Sequence, residues 1–592
     1  MSGERPGADG GGAGRRAAGG GAAGRLRRAA ADTFGWPELR PGQTAAMEAV
    51  MAGRDTLVVM PTGAGKSAVY QVPTLLLDGP TVVVSPLLAL QRDQIAGLLE
   101  HRAPRAVAVN SAQAEGETDA AWEAVTTGDA EYLFLSPEQL ARDDVVERLE
   151  RAEPALFVVD EAQCVSSWGH DFRPDYLRLA QAARRVGRPP LLALTATAAP
   201  PVRQEIVDRL GMAEPAVVVA GFDRPNIALD VRRFQEDDDR RRAVVERAAG
   251  EPKPGIVYAA TRKDSERYAA ELADLGLAAA AYHAGLRAAE RSRVHDAFLD
   301  GTLDVVVATS AFGMGIDKED VRFVLHASLP GSLDAYYQEI GRAGRDGKPA
   351  LAVLHYRPED TGMRNFFAAR TPGDRTLGKV AEHLGERDGP RPLDELREET
   401  GLSRNRLTAA VNLLEEAGAA HTDQEGAVRP DPDVPQDEAV ERAGEAARAR
   451  RRLERTRVEM VRAYAETTGC RRRFLLGYFG EAYDSPCGSC DVCEAAAAGP
   501  EGDAVAARAT DPAGPAPGAG AGSGATDEAG DGGGAGGGPG ARVRHREWGD
   551  GTVLSQEGDR LTVLFDTMGY RTLSLPAVDD RDLLSVLDEP SV

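Results

Sequence analysis

The sequence predicts an α/β protein built on two parallel-sheet units in tandem, followed by smaller modules of different composition. Short apolar runs ("TLVVM", "TVVVSP", "LFVVD", "LLALTAT", "GIVYAA", "DVVVATS", "RFVLHAS") alternate with helical patterns from residue 32 to residue 360. Such spacing belongs to parallel strands covered by helices on both faces. That stretch is generous for one sheet, and "VVVAGFDRPNIALDV" reads as the crossing between two units. Composition then shifts after residue 375 and again after residue 496. A chain of 592 residues is far beyond one hydrophobic core, and the prior is roughly three to five domains.

In chain order, residues 1–31 form a Gly/Ala/Arg-rich leader expected to be disordered, with no apolar core and hence no secretory signal. The first α/β unit is expected over 32–215 and the second over 216–365. Within 375–430, "PLDELREETGLSRNRLTAAVNLLEEAGAA" reads as helix, turn, helix. Gly401 breaks it, Ser403 can cap the next helix, Gly418 can stop it, and Leu407, Val411 and Leu414 share one face. This resembles a winged-helix unit, and a generic small helical domain fits the same residues. An acidic connector, "RPDPDVPQDE", leads to an arginine-rich helix and a cysteine cluster over 446–495. Residues 496–540 are Ala, Gly, Pro and Asp with almost no large apolar residue, an expected unfolded tether. From 541 to 590, "GTVL", "LTVLF" and "RTLSL" alternate between turn signals, predicting a small antiparallel β-barrel of SH3-like size.

Hydrophobic content of 42% and charged content of 28% are ordinary for a soluble globular protein. No apolar run approaches the roughly 20 residues of a membrane span. Five cysteines in so long a chain argue against a secreted disulfide scaffold and for a reducing, cytoplasmic compartment. A net charge of -23 ordinarily counts against a nucleic-acid binder. The local pattern is uneven, because Arg448 to Arg473 carries ten arginines against Glu454, Glu459 and Glu466.

"MPTGAGKS" follows a strand and precedes a helical pattern, the context of a phosphate-binding loop, with Met60 where the first glycine of the strict pattern would stand. Thr62, Gly63 and Gly65 bend the backbone around phosphates, Lys66 reaches the β- and γ-phosphates of ATP, and Ser67 holds Mg²⁺. "LFVVDEAQ" delivers Asp160 to the magnesium and Glu161 to the attacking water from the end of a strand. "QEIGRAGRDG" offers Arg342 and Arg345 from the second unit as transition-state cations; a salt-bridged surface pair is the bland alternative. Cys470, Cys487, Cys490 and Cys493 form C-x16-C-x2-C-x2-C, which suits a closed structural Zn²⁺ site. The arginines beside it, with Phe474, Tyr478 and Phe479, are candidates for DNA phosphate contact or for helix packing. Cys164 stands apart and reads as a small buried filler.

Taken in order, "FGWPELRPGQ", "MPTGAGKS", "SPLLALQRDQ", "LFLSPEQL", "DEAQCVSSWGHDFRPDY", "ALTATA", "YHAGL", "VVVATSAFGMGIDK" and "YYQEIGRAGRDG" resemble the superfamily 2 helicase core of the RecQ family. The resemblance implies two RecA-like domains in tandem, with 3′ to 5′ translocation on single-stranded DNA driven by ATP. It further implies unwinding of duplex or forked DNA in repair and recombination, in a bacterial-type cytoplasm at the nucleoid. By the same resemblance Trp36 and Arg40 sandwich adenine, Gln43 reads its edge, and Phe34 packs in the core. Trp168, His170, Phe172 and Arg173 match the family's aromatic-rich loop, which couples DNA contact to hydrolysis. Gln163 stands where the family usually has histidine, and keeps hydrogen-bonding capacity without ionising.

"CRRRFLLGYFGE…CGSCDVC" is similar to the family's zinc module. The chain departs from the family in placing its winged-helix-like segment before the zinc cysteines, so no strand-separating element is carried over; Arg404, Asn405 and Arg406 are candidate DNA contacts there. The tail "VRHREWGDGTVLSQEGDRLTVLFDTMGYRTLSL" resembles the Tudor-like domain of UvrD/PcrA-type helicases, implying a protein partner such as RNA polymerase or a repair factor. Trp548 and Tyr570 are anchors or barrel packing. An RNA helicase, or a recruitment protein with a degenerate core, remains a rival reading.

Overall fold

The computed structural model describes residues 21–86, 88–101, 103–110, 113–166, 176, 178–313, 318–362, 372–386, 389–423, 427–484, 486–498, 541–557, 560–565, 569–575, 578 and 583–587. The first sheet holds β1 (Thr56–Val59), β2 (Thr81–Val84), β3 (Ala106–Val109), β4 (Tyr132–Leu135), β5 (Leu156–Val159), β6 (Leu191–Thr195) and β7 (Ala216–Val219). They are all parallel, in the spatial order β3-β4-β2-β5-β6-β1-β7. The inner strands are runs such as "TVVV" and "LFVV", buried at every position because helices cover both faces.

The second sheet holds β8 (Ile227–Arg233), β9 (Gly255–Tyr258), β10 (Ala279–Tyr282), β11 (Val305–Ala308), β12 (Phe323–His326) and β13 (Ala350–Tyr356). It too is parallel, in the order β10-β11-β9-β12-β13-β8. Two of its helices are capped by short polar side chains. Thr261 accepts from the Asp264 amide ahead of Arg262–Asp274, and Ser332 accepts from the Ala335 amide ahead of Leu333–Ile340.

Helices Asp374–Gly385, Leu393–Thr400 and Arg404–Glu416 pack with a small antiparallel sheet made of Arg391–Pro392, Ala427–Pro430 and Ala420–Thr422. Helix Gln436–Glu466 then runs 31 residues. Its first half lends Ala439, Ala443 and Ala447 to that unit's core, alongside Leu377, Leu407 and Leu414. The cysteines follow this helix, Cys470 at the start of helix Arg471–Tyr478, Cys487 and Cys490 ahead of helix Asp491–Ala498, and Cys493 within that last helix. Strands Arg542–His545, Gly549–Glu557, Arg560–Phe565, Gly569–Ser574 and Leu584–Val586 form a separate antiparallel sheet around Val543, Val563 and Phe565.

Several expected boundaries move. The leader is not unstructured to residue 31: helix Ala22–Phe34 places Leu26, Ala30 and Phe34 on one buried stripe against the first unit. The first unit does not stop at residue 215, because β7 pairs with β1 and completes the first sheet. The connector after residue 430 is shorter than expected, since the long helix starts at Gln436 rather than near 446. The tether does not begin at residue 496, because helix Asp491–Ala498 runs through the alanines. Residues 499–540 lie outside the described residues.

Asp55, at the entry to β1, fastens the first unit. Its carboxylate accepts from the Leu191 and Ala213 amides at 2.9 and 2.7 Å and pairs with Arg188 at 2.6 Å. Burial works against the charged form, but the Arg188 guanidinium and the two amides outweigh it and hold the Asp55 carboxyl below its ordinary value. Asp55→Asn should therefore destabilise the first unit by about 2 kcal/mol at neutral pH. Because the folded-state pKa is depressed, the wild-type advantage is present above about pH 4 and fades as pH falls toward the folded-state value. Thermal unfolding of both proteins between pH 7 and 3 checks this, and a gap that widens on acidification would overturn it.

Candidate nucleotide site and zinc cluster

The carboxyl ends of β1 and β5 open into a cleft of about 370 Å³. It is lined by Thr62, Gly63, Gly65, Lys66, Ser67, Asp160 and Glu161 from the first unit and by Gly313, Gln338, Arg342 and Arg345 from the second. The loop after β1 turns through Gly63 and Gly65, both at positive φ (81° and 79°), which a side chain would strain. A Cβ on Gly63 would lie 3.5 Å from Arg345, so the arginine stem of the second unit rests on the loop of the first. A Cβ on Gly65 would stand 2.5 Å from the Gln43 amide. Gln43 donates to the Ala64 and Gly65 carbonyls at 3.1 and 3.0 Å and accepts from the Arg40 amide at 2.9 Å. Its side chain thus clasps the phosphate loop, beside the adenine-edge role that the family resemblance implies for it.

Lys66 is half-buried and donates to the Met60 carbonyl at 3.2 Å. Burial lowers its ammonium from the lysine range, while the Glu161 and Asp160 carboxylates draw it back up. Asp160 is buried, and burial together with the Glu161 charge pushes it up to about 6 against the pull of Lys66. It accepts from the Glu161 amide at 3.0 Å and from Gln94 at 3.3 Å. Glu161 sits in the left-handed region at φ 49°, a strained conformation that turns the chain at the strand's end.

Gln163, fully buried, donates to the Glu161 carboxylate at 2.8 Å and accepts from the Thr195 hydroxyl at 2.6 Å. It thus ties the end of β5 to the end of β6. Cys164 packs in the apolar core. Trp168, His170, Phe172 and Arg173 lie outside the described residues.

On the facing wall Arg342 is buried, bonds the Tyr258 hydroxyl, and has an Nε without an acceptor among the described residues. That buried donor on the cleft wall fits an anionic occupant. Trp36 lines this cleft with one face stacked on buried Phe34 at 4.5 Å, while exposed Arg40 lines an adjoining cleft of about 300 Å³ with Gln43.

The Sγ atoms of Cys470, Cys487, Cys490 and Cys493 all lie within 4.8 Å of one another, with Cys487 and Cys493 at 3.9 Å. The edge of a tetrahedron with Zn–S bonds of about 2.3 Å is about 3.8 Å, so this donor set fits a zinc ion. Burial opposes the Cys487 thiolate, but hydrogen bonds from Ser489 and from the neighbouring cysteines bring that thiol to about 7.

Two of the arginines beside the cluster, Arg471 and Arg472, are committed to internal contacts, while Arg473 is exposed and bonds the Tyr483 and Asp484 carbonyls. Arg471 pairs with Asp491 at 2.8 Å and Arg472 bonds Asp223 and the Ile227 carbonyl, both guanidiniums being buried. Phe474, Tyr478 and Phe479 are buried as well, Phe479 stacking on Phe222 at 4.6 Å.

Three family models match along the chain: DEAD/DEAH box helicase over residues 40–206, helicase conserved C-terminal domain over 241–347, and RecQ zinc-binding over 433–494. The chain is 34% identical over 474 residues to the probable ATP-dependent DNA helicase RecS of Bacillus subtilis, covering 79% of this chain and 91% of that protein. It is 35% identical over 473 residues to the ATP-dependent DNA helicase RecQ of Pasteurella multocida, covering 79% of this chain and 62% of that protein.

The chain belongs to the RecQ family of ATP-dependent DNA helicases.

Within this RecQ chain the Glu161–Gln163–Thr195 link is open to test. Gln163→Leu removes both buried hydrogen bonds, at about 1 kcal/mol each, and should lower DNA-stimulated ATP turnover on the order of tenfold. Gln163→His keeps one ring nitrogen for each partner while neutral. Its turnover should hold at about pH 8 and fall as the ring protonates, since the imidazolium cannot accept from Thr195. Steady-state ATPase rates from pH 6 to 8 check both; equal rates in all three proteins would detach Gln163 from turnover.

Proposed function

We propose that the chain hydrolyses ATP in the cleft between its two sheets and uses closure of that cleft to move 3′ to 5′ along single-stranded DNA, opening duplex or forked DNA ahead of it. One observation carries the reading: a glycine-bent phosphate loop and a paired acid on one unit face two arginines of the other across a single cleft. In this role Gly63 and Gly65 turn backbone amides to the phosphates, and Lys66 meets the β- and γ-phosphates. Ser67 and Asp160 would hold Mg²⁺, which offsets phosphate charge. Glu161 orients the attacking water. Arg342 and Arg345 stabilise the charge that develops on the transferred group, so hydrolysis requires the two units to be closed.

Trp36 and Arg40 are assigned to adenine, supported by the open face that Trp36 presents to the cleft; Gln43 couples that region to the phosphate loop. Trp168, His170, Phe172 and Arg173 are assigned to base and phosphate contact, and Gln163 to relaying that contact to Glu161. The unit around Arg404–Glu416 has the helix and strand order of a winged helix, which supports reading Arg404, Asn405 and Arg406 as DNA contacts. All three are exposed, and Arg406 already bonds Thr376 at 3.0 Å. The antiparallel sheet over 542–586 is read as an SH3/Tudor-like partner-binding domain. Within it Trp548 stacks on His545 at 4.1 Å, which favours packing over a free anchor. The side chain of Tyr570 lies outside the described residues. No helix among the described residues is long and apolar enough to cross a membrane.

Lys66→Ala should lower DNA-stimulated ATP turnover by about a hundredfold or more while changing single-strand affinity by less than about threefold. Unwinding of substrates with 3′ or 5′ tails should cease in parallel, and opening of 5′-tailed substrates alone by the wild type would reverse the assigned polarity. Elemental analysis should find one zinc per chain, reduced in Cys490→Ser with a lower melting temperature. A wild-type preparation free of zinc at full stability would refute the cysteine reading.

A further inference from the structure

The crossing between the two sheets, "GFDRPN" at 221–226, is bonded at nearly every residue. On one side it holds the loop that carries the two arginines. Arg224 donates to the Gly341, Ala343 and Gly344 carbonyls at 3.2, 2.9 and 3.1 Å. Asn226 donates to the Gly344 and Lys348 carbonyls at 2.7 and 2.9 Å. Gly344 makes this approach feasible: it sits at φ 58°, and a Cβ there would stand 2.4 Å from the Asn226 amide. The Tyr337 hydroxyl, one turn before the loop, donates to the Phe222 carbonyl at 2.7 Å.

On the other side the same residues are held by the cysteine-bearing module. The Glu481 carboxylate accepts from the Phe222 amide, Arg472 bonds Asp223, and Phe479 stacks on Phe222 at 4.6 Å and 13°. Carbonyls at 341, 343 and 344 bracket Arg342 and immediately precede Arg345. Five donor contacts to that loop therefore fix the backbone from which both guanidiniums project. A misplacement on the order of 1 Å at such a group can cost about a hundredfold in rate.

We infer that Arg224 and Asn226 are positioning residues for the loop bearing Arg342 and Arg345, and that the cysteine-bearing module sets the crossing from which they act. This rests on the reading of those two arginines as the groups that meet the transferred phosphoryl.

The test uses the full chain with oligo-dT, measuring kcat and KM for ATP in Arg224→Ala, Arg345→Ala and the double variant. Arg224→Ala should lower kcat on the order of tenfold with KM for ATP within about twofold. The loss from Arg224→Ala should be clearly smaller in the Arg345→Ala background than in the wild type, because one of the two guanidiniums that the loop positions is already gone. Arg224→Lys, which returns one cation to the same carbonyls, should recover part of the rate.

An unchanged kcat, a KM that rises in step with the loss, or losses that multiply in the double variant would each overturn the role of Arg224. If Arg345→Ala itself keeps full kcat, the site reading fails instead. Asn226→Ala, which removes a neutral side chain, carries the same comparison if Arg224→Ala does not unfold cooperatively. Glu481→Ala, which removes the acceptor for the Phe222 amide, should with zinc content retained lower kcat in the same direction; an unchanged kcat there overturns the module's share.

Discussion

The Arg345 stem resting on Gly63 is the contact on which the rest of the architecture turns. Parallel sheets end their strands at one edge, and functional loops gather there because every crossover helix returns to the opposite edge. One such edge supplies the phosphate loop and the acidic pair, the other the arginines. Neither edge alone collects the groups that a phosphoryl transfer requires. The cleft is therefore a relation between two rigid bodies, and its chemistry is only as well defined as their placement.

Placement is set by directional polar contacts together with an apolar core that runs through both units and the cysteine-bearing module. The Glu161–Gln163–Thr195 chain ties two strand ends of the first sheet. Arg203, on the helix that follows, donates to the Ala198 carbonyl and to the Phe479 carbonyl at 2.7 Å. Phe479 in turn stacks on Phe222 of the crossing. The cysteine-bearing module thus touches the strand-end network of the first unit and the arginine loop's support in the second. Directional bonds suit this task, because they lose most of their energy over a small displacement and so distinguish one arrangement from its neighbours.

What was legible in the sequence follows from range. Strands such as "TVVV" announce themselves because both faces are buried, and the phosphate loop and cysteines announce themselves through spacing within a few residues. Misread segments depend on distant partners. "CRRRF" reads as a DNA-facing cluster, yet Arg472 is claimed by Asp223, about 250 residues earlier in the chain. "AVVV" at 216–219 belongs with the first sheet because β1 is its neighbour, which nothing local reveals. Helix Ala22–Phe34 hides in a Gly/Ala/Arg composition, and only the four-residue spacing of Leu26, Ala30 and Phe34 marks its buried stripe. Gln43 was found, but its loop-clasping role needed the fold.

Charge shows the same dependence on place. The ten arginines between residues 448 and 473 look like one basic patch, and the structure divides them. Arg471 and Arg472 are internal braces whose carboxylate partners cancel their field locally. Arg448, Arg452 and Arg455 share one exposed face of the long helix, at spacings of four and three residues, with Arg448 also 3.5 Å from the Asp374 carboxylate. Arg462 and Arg473 are exposed as well, and the attraction of these exposed arginines for a polyanion acts within about 10 Å at ordinary ionic strength. The net charge of -23 is summed over the whole chain, and charges beyond that range are screened. The total charge thus bears on solubility and on encounter at low salt, while the orientation of one helix decides whether phosphates can be held.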